Sequence, residues 1–267
     1  MAAKFAVRRR RVFGGVAAIN FRPVTKTSRR LLAETDALAA ACGALRFSPP
    51  ATNVYHPLIY AREPHRRYLQ KFAAGRKRVL FFGMNPGPWG MAQTGIPFGE
   101  VAAARDWMKI SAPVSAPPQM HPLRPVSGFS CRRSEASGRR LWGMFAAKYP
   151  RAEDFFAAHF VLNYCPLLFL AAGEKRCINL TPDKLCAADR EPLFASCDSF
   201  SRAAAEILQP EFCIGIGGFA ESRLRLLFGD SKMRIGKILH PSPANPAANR
   251  GFAAAAEKQL REIGVWE

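Results

Sequence analysis

Lys77-Arg78-Val79-Leu80-Phe81-Phe82 runs directly into Gly83-Met84-Asn85-Pro86-Gly87-Pro88-Trp89-Gly90-Met91-Ala92-Gln93-Thr94-Gly95-Ile96-Pro97-Phe98-Gly99-Glu100-Val101. The first part is a short continuous apolar run, the pattern of a buried strand. The second holds five glycines and three prolines in nineteen residues. That composition excludes helix and strand, so the backbone turns repeatedly over one spot. Small residues there let main-chain groups approach a ligand closely. The polar side chains on offer are the amides of Asn85 and Gln93, with no carboxylate before Glu100 and with Phe98 as an aromatic face. Such a loop suits a flat, neutral guest better than a phosphate.

Working outward from this stretch, residues 160–167 read as a second buried strand, and residues 212–217 and 234–239 as a third and a fourth strand. Helical patterns separate them. A first helix follows Thr27-Ser28 and stops before Phe47-Ser48-Pro49-Pro50, and Pro64 lies near the start of a second that reaches Ala74-Gly75. Arg105 to Met108 reads as a short helix, residues 111–126 are too rich in proline for regular structure, and Ser134 is placed to cap a further helix. Residues 171–180 read as a loop, and Thr181-Pro182 start a helical region reaching Pro210. Another helix runs from Gly218-Phe219 to about Phe228-Gly229, and Asn245-Pro246 open the last one. The glycines at 215 and 217 do not form a dinucleotide fingerprint, because G-x-G-x-x-G would need glycine where Ala220 stands.

Strands alternating with helices imply an α/β fold in a single domain, with a central parallel four-stranded sheet flanked by helices. Ligands of open α/β sheets bind outside the carboxyl ends of the strands. Asn85, Asn163, the glycines near 217 and His240 all fall just past strand ends, so four segments converge on one edge. Taken alone, an Asn at a strand end is a turn former and a lone His a packing residue.

The motif GMNPGPWGMAQTGIPFGEV resembles, nearly residue for residue, the first motif of single-strand-selective monofunctional uracil-DNA glycosylases. The family's second motif, His-Pro-Ser-Pro-x-Asn-Pro-x-Ala-Asn, is matched by His240-Pro241-Ser242-Pro243-Ala244-Asn245-Pro246-Ala247-Ala248-Asn249. Residues 55–68 and 134–143 are also similar to the family, and the resemblance extends over roughly residues 31–265. It implies a monofunctional DNA glycosylase that flips uracil, and 5-hydroxymethyluracil or related oxidised pyrimidines, out of single- and double-stranded DNA and excises it, initiating base excision repair. A non-catalytic nucleic-acid-binding protein on the same fold, or a relative acting on deaminated purines such as xanthine or hypoxanthine, is the alternative.

Cleaving the glycosidic bond leaves an oxocarbenium-like sugar and an anionic uracil. On the resemblance, His240 donates to uracil O2 as charge develops, the kind of donor worth roughly 2.7–4 kcal/mol. Asn85 stands where other uracil-DNA glycosylases carry an aspartate; an amide is no base, so it orients the attacking water. Neither motif contains a lysine, which argues against a Schiff base and strand cutting. Asn163 would donate to O4 and accept from N3–H, a pattern cytosine cannot match. Phe98 offers a stacking face, and Met84, Gly87 and Met91 resemble residues lining the pocket. The segment carrying Ser242, Pro243, Ala244 and Asn245 resembles the wedge that fills the gap left by a flipped base. The family pattern has Arg where Ala244 stands here, so the wedging role is expected to weaken or to pass to Arg250 or to the loop holding Lys175 and Arg176.

The formal net charge of +19 points to a polyanionic partner, DNA on this reading. Residues 1–33 hold nine of the 39 basic residues and no acid; the remainder, with 30 basic and 20 acidic residues, is still basic. An acid-free, Arg-rich start fits a transit peptide or a gene-start artefact as well as a phosphate-binding arm. The reading taken is a flexible basic arm over residues 1–28 ahead of a catalytic domain over 29–267. Seven cysteines, none spaced as C-x-x-C, argue against a zinc ribbon, an iron–sulfur cluster and a disulfide framework. No metal or cofactor is expected, and no apolar run is long enough for a membrane span. A monomer is expected, intracellular, in the nucleus of a eukaryote or the cytoplasm and nucleoid of a bacterium.

Overall fold

The computed structural model describes residues 24–172 and 177–267. Thr25 caps the first helix, α1 (Lys26–Ala44), its hydroxyl accepting from the Ser28 amide at 3.1 Å. The helix therefore opens inside the stretch read as an arm. Ser28 is fully buried, so the folded domain begins ahead of residue 29; residues 1–23 of the expected arm lie outside the described residues. A short strand, β1 (Asn53–Tyr55), and two helices, α2 (Pro57–Tyr60) and α3 (Arg62–Phe72), lead to β2 (Val79–Gly83). The glycine-rich loop contains one helical turn, α4 (Met91–Thr94). Helices α5 (Ala136–Lys148) and α6 (Ala152–Ala158) precede β3 (His159–Asn163). Then come β4 (Leu168–Ala172), β5 (Cys177–Leu180), the long helix α7 (Ala187–Leu208) and β6 (Phe212–Ile216). Helix α8 (Gly218–Phe228), β7 (Arg234–Ile238) and α9 (Pro246–Ile263) complete the chain.

The four expected strands form one parallel sheet in the order β3-β2-β6-β7. Every residue of β2, β3 and β6 is buried, which is why each reads as an unbroken apolar run. β7 lies at an edge and alternates exposed Arg234 and Lys237 with buried Gly236 and Ile238. Connections step outward from β2 to β3 on one side and from β6 to β7 on the other. The order thus reverses between β2 and β6, the topological switch point where open sheets bind ligands.

A second sheet, antiparallel and ordered β1-β4-β5, was not anticipated. The stretch 171–180, expected as a loop, contributes instead to a ladder pairing Ala171 with Ile178 and Ala172 with Cys177. Its three strands have three to five residues each, too short for an alternating pattern to stand out. Two smaller expectations also change. Ser134 does not cap α5; Glu135 occupies that position without a side-chain capping bond. The turn expected at 105–108 is a single π-helical turn over Ala103–Trp107. Five of the seven cysteines are buried, Cys186 is exposed, and none is in a disulfide.

One side of the sheet is sealed by aromatic rings, with Phe145 of α5 on Phe155 of α6 at 4.2 Å between centroids and both near Phe81 of β2. On the other, α7 and α8 are tied to the end of β3. Tyr164 donates its hydroxyl to Asp198 at 2.7 Å, and Arg223 of α8 pairs with the same carboxylate at 2.5 Å while its guanidinium lies over Tyr164 and Phe194. Both charged side chains are more than four-fifths buried, so removing one leaves its partner's charge stranded. Asp198→Ala should lower the free energy of unfolding in denaturant by about 3 kcal/mol. A paired apolar replacement, Asp198→Leu with Arg223→Met, should recover most of that loss; if the double variant is the less stable one, the pair does not act as a buried unit.

Candidate active site

At the carboxyl edge of the parallel sheet a cavity of about 200 Å³ opens beside β2. That is smaller than the roughly 300–1,000 Å³ of sites for drug-sized ligands and is scaled to a single small ring. Its walls include the expected Met84, Asn85, Gly87, Met91, Phe98, His240 and Ser242. The loop after β2 is fastened from behind. His65 and Tyr60 bond the carbonyls of Gly95 and Ala92 at 2.7 and 2.8 Å, and the Cys165 amide bonds the Met84 carbonyl at 2.9 Å.

Gly83 ends β2 opposite Asn163, the last residue of β3. A Cβ at Gly83 would overlap both the Asn163 Oδ1 and the Phe98 ring, so the missing side chain is what brings these two groups together. Asn163 is 7 % exposed. Its Nδ2 donates only to the Met91 sulfur, at 3.2 Å, and its Oδ1 is buried with no hydrogen-bond partner. Buried amide oxygens nearly always have a donor, and leaving one without costs about 1–3 kcal/mol. A thioether is also a weak acceptor. This carboxamide thus keeps unused hydrogen-bonding capacity; Asn163 is not among the residues lining the cavity but adjoins two that are, Met91 and Phe98.

Phe98 adopts a left-handed backbone conformation (φ 52°), uncommon for a bulky residue and concentrated at functional sites. Two donors stabilise it, the Trp142 indole at 3.0 Å and the Glu100 amide at 2.7 Å, both to the Phe98 carbonyl. The ring centroid lies 6.3 Å from that of His240 at an angle of 48°.

His240 follows β7 and packs against Gly217, whose positive φ (92°) at the start of α8 excludes a side chain that would press on the imidazole. Its Nδ1 accepts from the Ser242 amide at 3.1 Å. A backbone N–H can only donate, so the proton of the neutral ring resides on Nε2. Burial pushes the His240 pKa below its usual 6.5, which keeps the ring neutral at pH 7. The site thus presents a neutral N–H donor.

Asn85 donates its Nδ2 to the Leu167 carbonyl at 3.2 Å. This leaves Oδ1 without a protein donor among the described residues, an acceptor suited to a water. Gln93, the other amide of the loop, is not available. It is fully buried, with Nε2 bonded to the carbonyls of Pro88 and Pro125 and Oε1 to the Ser127 amide, so it braces the loop and faces no guest.

The segment after His240 is a tight, self-bonded loop. Asn245 donates to the His240 carbonyl at 3.0 Å and caps α9 through the Ala247 amide, while the Ser242 hydroxyl accepts from the Ala244 amide. Pro243 and Ala244 are exposed at its tip. Arg250 is exposed on the first turns of α9, away from the cavity walls, just before Gly251 (φ 150°) breaks the helix. Lys175 and Arg176 lie outside the described residues.

Residues 69–263 match the family model of the uracil DNA glycosylase superfamily. The single-strand selective monofunctional uracil DNA glycosylase of Mus musculus is 44% identical over 246 residues, 91% of this chain and 87% of that protein. The Bos taurus protein of the same description is 45% identical over 223 residues, 83% and 81% of the two chains. The chain belongs to the single-strand-selective monofunctional uracil-DNA glycosylase family. The crystal structure of wild-type SMUG2 from Pedobacter heparinus, 18% identical, superposes with a TM-score of 0.61 over 87% of this chain and 97% of that one, which supports the fold.

For a member of this glycosylase family the cavity holds four polar side chains that the motifs did not single out: Glu135, Ser137, Asn179 and Thr181. Glu135 brings a carboxylate to a loop that has none of its own before Glu100. It accepts from the Trp89 amide at 3.1 Å and lies so close to Gly87 that a Cβ there would come within 2.5 Å of its Oε2. Burial raises its pKa, the Trp89 and Gly90 amides oppose that rise, and the nearby Glu100 adds to it. Glu135 was visible within the family-like segment 134–143, though with no role attached. Asn179 gave no signal, because it comes from the strand that was read as a loop, and Thr181, just after that strand, was read only as the start of a helical region.

The state of His240 is open to direct measurement. Its imidazole nitrogen resonances should report the Nε2-protonated tautomer and a midpoint below 6.5. A reaction that needs the neutral ring would then hold its rate through pH 6.5 and lose it only as pH falls through the lowered value. A midpoint at or above 6.5, or a proton on Nδ1, would contradict the geometry.

Proposed function

We propose that this protein is a monofunctional DNA glycosylase that flips uracil out of single- and double-stranded DNA and hydrolyses its N-glycosidic bond, the first step of base excision repair. The observation that carries the proposal is the buried Asn163 carboxamide, its oxygen unpartnered, beside Met91 and Phe98 of the cavity that a neutral His240 also lines. Uracil donates from N3–H and accepts at O4, as that amide requires. Cytosine reverses the pattern and would leave buried groups unpaired, a mismatch that can discriminate by about 10⁴-fold or more.

In the proposed reaction Phe98 stacks on the base, a contact worth roughly 1–3 kcal/mol. Asn85 Oδ1 holds the water that attacks C1′. As the bond lengthens, negative charge spreads onto the uracil, and His240 Nε2–H donates to O2. A neutral donor strengthens its bond as this charge appears, so it favours the transition state over the bound substrate. Glu135 beside Gly87 supplies an acceptor at the wall where the resemblance places C5, which supports 5-hydroxymethyluracil as a second substrate.

The direct test is incubation with uracil-containing single-stranded DNA followed by alkali, with abasic-site formation expected. His240→Ala and Asn85→Ala should each lower the single-turnover rate by orders of magnitude while DNA affinity changes little; near wild-type rates in both would remove these residues from the mechanism.

Position 244 sets a separate expectation. Alanine can neither stack in a vacated gap nor pair with the orphaned base, whereas arginine can do both. Ala244→Arg should therefore raise the duplex-to-single-strand ratio of single-turnover rates at fixed salt, because only a duplex must be held open. A flat or falling ratio would mean that the loop tip does not reach the gap.

A further inference from the structure

Helix α5 lies between the two motifs and touches both. On the side of the first motif, Glu135 holds the Trp89 amide, Trp142 holds the Phe98 carbonyl, and Gly138 lets that carbonyl sit against the helix where a Cβ would collide with it. On the side of the second, Arg140 donates Nη1 to the Pro241 carbonyl and Nη2 to Asn249 Oδ1, both at 2.9 Å. Asn249 in turn donates to the Pro243 carbonyl at 2.8 Å. The guanidinium thus grips the loop at its first residue after His240 and, through Asn249, near its tip. No carboxylate pairs with Arg140 among the described residues, so these two loop acceptors are what orient it.

We propose that Arg140 is a positioning residue: it fixes His240, the 241–245 loop and the first turn of α9 at a set distance from Phe98, with α5 as the rigid spacer. The inference rests on the glycosylase reading for its effect on rate, but the loop contact stands apart from it. A planar fork bonding two acceptors at once is specific to arginine, and lysine supplies the same charge from a single point. That difference separates positioning from simple attraction of phosphates.

Arg140→Lys and Arg140→Ala should both lower the single-turnover rate on uracil in single strands by roughly 10- to 100-fold, the scale of one charge-assisted hydrogen bond or of a misplacement of about 1 Å. Arg140→Lys should leave the slope of DNA affinity against salt at its wild-type value, whereas a lost phosphate contact would reduce it by about 0.7. Asn249→Ala should reproduce the defect, and the double variant Arg140→Ala/Asn249→Ala should be no slower than the worse single one. Amide hydrogen exchange across residues 242–250 should quicken in Arg140→Lys with no change in β2 or β6. That measurement needs no activity, so it tests the brace even if the protein proves not to excise uracil. A lysine variant with wild-type rate, additive effects of the two substitutions, or unchanged exchange in the loop would overturn the proposal.

Discussion

The pairing of β2 with β3 ends with Gly83 opposite Asn163, and the space that a Cβ would fill there is shared by the Asn163 carboxamide and the Phe98 ring. The other elements of the site are arranged about this close approach. Phe98 can lie over β2 only in a left-handed conformation, which Trp142 and Glu100 secure from α5 and the loop. Asn163 can stay buried with an unsatisfied oxygen only because the ends of β2, β3 and the following turn are bonded on every other side, including Tyr164 to Gly83 and Cys165 to Met84. The local cost of a strained residue and an unpaired oxygen is of order a few kcal/mol. An aromatic core around Phe145 and Phe155, together with three fully buried strands, offsets it.

Charge is distributed in a way that suits a neutral guest on an anionic chain. The protein as a whole is strongly basic, yet among the described residues no lysine or arginine lines the cavity, and the ionisable groups there are Glu135 and His240. Burial shifts both toward their uncharged forms. The long-range field thus favours a polyanion at the surface, while in the proposed reaction discrimination at the base rests on short, directional hydrogen bonds.

The strands of the parallel sheet could be read from sequence because burial on both faces leaves continuous apolar runs such as Val79 to Phe82 and Phe160 to Leu162. Their carboxyl ends gave the place of the site, and the two motifs gave the residues. The antiparallel sheet could not be read the same way: β1, β4 and β5 are short, and their pairing is set by the rest of the fold. Asn179 and Thr181 were missed with it. Gln93 misled for a different reason. An amide in a ligand-facing loop has the same sequence appearance whether it meets a guest or, as here, satisfies Pro88, Pro125 and Ser127. Ser134 has the right chemistry for a cap, but the helix begins one residue too late to use it.

The break in α9 at Gly251 has a consequence for how this surface can change over generations. Beyond the break, Phe252, Ala256 and Leu260 anchor the helix in the core; before it, only Ala248 of residues 246–250 is buried, and Asn249 is held by Arg140. A continuous helix would transmit any shift of its first turn along its whole length. With the backbone broken at one glycine, the outer turn takes its position from Ala248 and from the Arg140–Asn249 contact rather than from the rest of the helix. Ala244, exposed at the tip of the loop ahead of that turn, can then be exchanged for another side chain with little penalty for folding and without displacing the turn behind it.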